Sequence, residues 1–175
     1  MNTWTIDPAH SSIGFKIKHL MVSTVRGQFK EFDGRIETAD DTFGDAHAHF
    51  TAKSASIDTN MSMRDDHLRS ADMFDSERFP EVTFVSEAAV VDGNRFDIAG
   101  DLTMKGVTKR IALHGIFEGI AVGMDGARVA AFTCNGTINR NDFGISWNKA
   151  LEAGGVTVGE EVVLELHIEA KENAA

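Results

Sequence analysis

The residues able to do chemistry in this chain are few and widely scattered. His47 and His49 sit two apart in a segment of strand-like alternation, so both side chains share one face, as metal-ligand pairs can. No third ligand falls at a suitable spacing. The two histidines read instead as solvent-facing positions opposite Ala46, Ala48, Phe50 and Ala52, and no metal site is expected. His67 lies beside Asp65, Asp66 and Arg69. Carboxylates around an imidazole can make a general base, but this grouping reads better as a surface network that pins a short helix. The segment Gly144-Ile145-Ser146-Trp147-Asn148 has the serine of a nucleophile elbow without its final glycine or a following helix. There is no His-Glu-x-x-His and no Cys-x-x-Cys. The expectation is a protein with no catalytic residues and no cofactor.

The framework around those residues is read from composition and period. The chain has 175 residues, 42% of them apolar and 25% charged, which suits one globular domain over 1–175. A formal net charge of -10 argues against a nucleic-acid partner and against basic-patch binding to anionic membranes. Cys134 is the single cysteine, so no internal disulfide forms. No apolar run is long enough to span a bilayer. Met1-Asn2-Thr3-Trp4 lacks the features of a secretory leader, so a cytoplasmic protein is expected as written, or a periplasmic one if a leader has been removed.

The dominant period is two. Val162, Leu164, Leu166 and Ile168 alternate with polar neighbours, as do Ile13, Phe15 and Ile17. Phe96, Ile98, Leu102 and Met104 repeat the pattern, and so do Ile111, Leu113 and Phe117. Further strands are expected over 26–38, 46–57, 81–91 and 128–138. Asp92-Gly93-Asn94, Lys105-Gly106 and Asp125-Gly126 are tight-turn sequences, and short connections favour antiparallel neighbours. Residues 62–76 break the pattern as a short helical excursion, with Ser62 as its N-cap, Asp65 in the first turn and helical residues to about Phe74. The fold class is therefore all-β: an antiparallel, lipocalin-like barrel of about eight strands. Periodicity alone leaves a β-sandwich open.

Five blocks stand out in order: Trp4–Phe15, Lys18–Phe29, Asp66–Asp75 followed by Phe79-Pro80 and Val82-Thr83-Phe84, Gly100–Lys109, and Asn139–Ile145. Together they resemble the YceI-like family of bacterial polyisoprenoid-binding proteins over nearly the whole chain. The resemblance implies an extended lipocalin-like barrel, often dimeric and commonly periplasmic, holding an amphiphilic chain. Val91 and Val163 are outward aliphatics that could mark a homodimer face. Twelve phenylalanines and no tyrosine suit either a plain core or a dry tunnel, since Phe has no hydroxyl to satisfy. The resemblance favours the tunnel. Its expected lining is Phe15, Ile17, Phe29, Phe84, Phe96, Ile98, Phe143 and Trp147, with His19, Arg26 and Arg140 receiving a polar head group. The expected function is to bind, store or carry an isoprenoid or fatty-acyl lipid. The alternatives are an enzyme using His67 or His19 on a hydrophobic substrate, and a ligand-free stress or interaction barrel.

Overall fold

The computed structural model describes residues 1–174. In chain order the strands are β1 (Asn2–Ile6), β2 (Ser12–His19), β3 (Ser23–Phe29), β4 (Phe32–Thr38), β5 (His47–Lys53) and β6 (Ile57–Asp58). The helix α1 (Ser62–Arg69) follows, then β7 (Glu81–Ser86), β8 (Val90–Asp92) and β9 (Arg95–Met104). The long strands β10 (Val107–Val122), β11 (Arg128–Asn139) and β12 (Val158–Glu172) complete the chain.

Eight strands close into a barrel in the order β1-β4-β5-β7-β9-β10-β11-β12, and β12 pairs back onto β1 through Trp4↔Glu172 and Ile6↔Ala170. All of these pairings are antiparallel, and the closure of β12 onto β1 makes the architecture a barrel and excludes the sandwich. The free edge of β12 serves two strands in succession. Ala170 to Glu172 face β1, while Val158 to His167 face β2. From that second stretch β2, β3 and β6 extend as a flap beyond the closed barrel.

Alternation puts one row of each strand inside. Leu164, Leu166 and Ile168 of β12 face the lumen, as do Phe96, Ile98, Leu102 and Met104 of β9 and Leu113 of β10. His47 and His49 take the opposite side from Ala48; His49 Nδ1 lies 3.5 Å from Arg35. The turns read from the sequence are present. Lys105-Gly106 adopts positive φ at both positions (48° and 73°), the geometry of a type I′ hairpin turn.

Five local expectations are corrected. The strand expected over 26–38 is broken at Lys30 and Glu31, whose backbone groups bond Ser56 and Lys53 instead of a ladder neighbour. The strand over 46–57 is likewise interrupted by a 3-10 turn, Ser54–Ser56. Ser62 is inside α1; Met61 holds the cap position with no side-chain bond, because Asp65 reaches back to accept from the Thr59 amide and hydroxyl. The helix ends at Arg69, not near Phe74, because Ser70 turns out of it, donating its hydroxyl to His67 O. Val91 is a cavity wall residue, so it is no outward strip.

Candidate ligand-binding cavity

A cavity of about 160 Å³ runs inside the barrel. Seven of the eight barrel strands contribute walls, all but β1, and Ile13 of β2 and Phe29 of β3 add to them from the flap. The wall is hydrocarbon apart from the hydroxyls of Thr42 and Thr83 and the thiol of Cys134. Burial pushes that thiol up to about 12, so it stays protonated at neutral pH.

The lumen stays open because several rings lie over glycine. Phe96 stands directly opposite Gly115 across the β9–β10 ladder, and Phe50 opposite Gly34 across β4–β5. A Cβ added at Gly100 would come within 2.7 Å of the Phe84 ring, and one at Gly34 within 3.0 Å of Phe50. Each glycine thus makes the recess that takes a neighbouring strand's ring to the wall. Phe15 uses Gly27 in the same way, but in the flap.

The two ends are closed differently. At the end where β4 leads into β5, the loop 39–46 folds Phe43 into the lumen. Its ring lies 5.4 Å from Trp4, 5.1 Å from Phe117 and 5.0 Å from Phe132. Phe43 adopts φ +56°, an uncommon conformation for a bulky side chain. The loop is held by Asp45, which accepts from the Ala39 amide and the Thr38 hydroxyl, and those bonds keep its carboxyl below the usual range. Outside, Arg128 bridges Asp41 at 2.5 Å and Glu172 at 2.9 Å.

The opposite end is corked by polar groups buried among apolar ones. Arg140 is 4% exposed and donates to four carbonyls, those of Gly159 (2.7 Å), Ile145 (2.7 Å), Trp147 (2.9 Å) and Val158 (3.3 Å). Lys105 donates to Ala71 O and Gly144 O, joining the excursion after α1 to the turn after β11. Leu68 and Phe74 pack beneath, the latter edge-on to Phe29 at 5.7 Å.

Of the expected lining, Phe29, Phe84, Phe96 and Ile98 stand on the cavity wall. Phe15 and Ile17 do not, because β2 beyond Ile13 belongs to the flap; Phe15 packs on Phe29 at 6.2 Å. Phe143 is buried in the 3-10 turn Arg140–Phe143, off the barrel ladders, and Trp147 packs against the His67 ring at 4.5 Å. None of the three expected head-group residues lies at a mouth. Arg26 pairs with Glu165 on the outer face at 2.8 Å, beside Lys16. Arg140 is the cork just described. His19 sits at the β2–β3 hairpin tip, where its carbonyl accepts from Ser23. His67 reaches Asp72 at 3.3 Å and belongs to the same corked end.

The sequence pattern placed Phe117 on an alternating row without assigning it to the lining, and it missed Phe43 and Phe132. Phe132 was within reach of the same-face rule, through Ala130, Phe132 and Cys134 of β11. Phe43 gives no periodic signal, since it lies in a loop.

A closed antiparallel barrel around an apolar cavity defines the lipocalin-like class of hydrophobic-ligand barrels. Within that class the chain belongs to the YceI-like family, whose domain model matches residues 4–170. It is 41% identical to the UPF0312 protein SAS2572 of Staphylococcus aureus (strain MSSA476) over 170 residues, covering 97% of each chain. Among solved structures it is similar to the YCEI protein of Campylobacter jejuni, with 33% identity, 96% of each chain covered and a TM-score of 0.75. A polyisoprenoid binding domain from Saccharophagus degradans shares the fold at a TM-score of 0.72, with 14% identity, over 97% of this chain and 98% of that one. No helix among the described residues is long and apolar enough to cross a membrane.

Proposed function

We propose that this protein is a non-enzymatic carrier or store for an isoprenoid or related long-chain lipid. The observation that carries the reading is the hydrocarbon wall of a closed barrel lumen, with rings held back over glycine. Binding is by partition: each CH₂ taken from water contributes about 0.8 kcal/mol, so a long chain binds tightly without any specific contact. The Saccharophagus degradans domain of the same fold, described as polyisoprenoid binding, supports the isoprenoid class. The titratable group on the wall is a protonated thiol, which favours a binder over a catalyst.

The size of the cavity supplies a competing reading, a barrel filled by its own side chains. An apolar cavity of about 150 Å³ takes a molecule the size of benzene, so a long chain must displace side chains that now fill the lumen. Native mass spectrometry of the purified protein, followed by solvent extraction, separates the two and reports whether a homodimer forms. The carrier predicts a stoichiometric prenyl or acyl species, or uptake of one after delipidation. A clean apo mass that also refuses added prenyl and fatty-acyl ligands establishes the filled barrel.

A further inference from the structure

We infer that Phe43 is the stopper of the ligand's entrance, and that Trp4 Nε1 is the donor that receives an uncharged, oxygen-bearing ligand head once Phe43 withdraws. The inference rests on the carrier reading and adds the mouth, the anchoring residue and the head-group class.

A ligand longer than the resting cavity needs a part of the wall that moves. Barrel strands move only by breaking ladder bonds on both sides. The loop 39–46 lies outside the ladders, yet one of its side chains, Phe43, is 3% exposed and forms part of the wall. It is held at φ +56°, where an aromatic residue is strained, and the strain is relieved when the loop swings out.

Behind Phe43 is an unsatisfied donor. Trp4 is fully buried, and its Nε1 has no hydrogen-bond partner among the described residues. A buried indole N–H almost always finds one, because leaving it unpaired is costly. Trp4 touches Phe43 but is not itself a wall of the cavity. A ligand oxygen entering the space that the Phe43 ring gives up supplies the missing acceptor.

Charge selects the head. The loop carries Asp40, Asp41 and Asp45. Two cations at this end are already held: Arg128 by Asp41 and Glu172, and Lys171 by Asp7 at 3.4 Å and Asp125 at 3.9 Å. Arg95, at the start of β9, makes no ion pair among the described residues, but it is outnumbered by Asp40 and Asp45, so a phosphate or diphosphate still meets a net acidic rim. A ketone or ester carbonyl accepts the indole hydrogen and brings no charge.

The chain has two tryptophans, so its indole N–H spectrum holds two signals, assigned through Trp147→Phe. The delipidated whole protein is titrated with geranylgeranylacetone, with a hydrocarbon of matching length, and with geranylgeranyl diphosphate. The ketone is expected to move the Trp4 signal downfield and the hydrocarbon not to, with the diphosphate binding more weakly than the ketone. Trp4→Phe is expected to weaken the ketone about fivefold, the worth of one net hydrogen bond, and to leave the hydrocarbon unchanged. Ketone binding that leaves the Trp4 signal where the hydrocarbon leaves it overturns the head-group assignment, while hydrocarbon binding preserves the carrier reading. If none of the three binds, both fall together.

Discussion

The barrel is closed at one end by a ring and at the other by a network. At the 39–46 loop a single strained side chain, Phe43, fills the mouth by van der Waals contact with Trp4, Phe117 and Phe132. At the far end Arg140 fastens four carbonyls, and Lys105 two more. An apolar plug can leave without orphaning any polar group, whereas an arginine cork cannot, since each carbonyl it abandons must be desolvated unpaired. The two ends are therefore built for different tasks, one to open and one to hold.

The sharpest way to break that contrast is at the cork. Arg140→Met should cost roughly 3 kcal/mol, because it strips donors from several buried carbonyls. Urea unfolding reads this directly, and wild-type stability in the variant would show that the network is ornamental. At the plug, Phe43→Gly exchanges a buried ring for relief of its positive φ. A net loss of about 2 kcal/mol is expected, smaller than an ordinary core Phe truncation. The same variant should exchange bound lipid roughly tenfold faster, a barrier change of about 1.4 kcal/mol. Stopped-flow displacement of a fluorescent fatty acid measures it, and Arg140→Met should leave that rate unchanged.

Between the two ends, Gly115→Ala places a methyl against the Phe96 ring and drives the ring toward the lumen. About 1 kcal/mol of stability should be lost, together with lipid capacity; extraction after loading gives the latter. The smallest effect is that of acid. Asp45 has a folded pKa below its ordinary value through the Ala39 amide and the Thr38 hydroxyl. A lowered pKa contributes at neutral pH and is lost as pH falls through it, here below about pH 4. Lipid release should thus be flat across neutral pH and quicken only in strong acid, and quickening near pH 6 would exclude Asp45 as the clasp.

The sequence made the barrel wall legible because alternation is written into each strand. Val162, Leu164, Leu166 and Ile168 announce an inward row, and Phe96 and Ile98 announce another. It could not show where the closed barrel gives way to the flap, which is why Phe15 and Ile17 alternate correctly and still miss the cavity. That boundary is set by β12 changing partners along its length. Arg140 was visible as a charge near a turn, but its four acceptors are backbone carbonyls, which carry no sequence signature. Phe43 lies in a run of aspartates and turn residues, where only the folded loop brings it into the lumen.

The exchange of partners along β12 also fixes the order of events in the life of the chain. Residues 2–6 cannot pair with 170–172 until nearly the whole sequence exists, and β2 waits for 158–167 as well. Pairings of such sequence separation are intrinsically slow to form. Until they do, the lumen is an open, curved sheet whose apolar face is exposed to solvent. Cargo that is insoluble in water can be enclosed only as that seam zips, or later through whichever end is able to open.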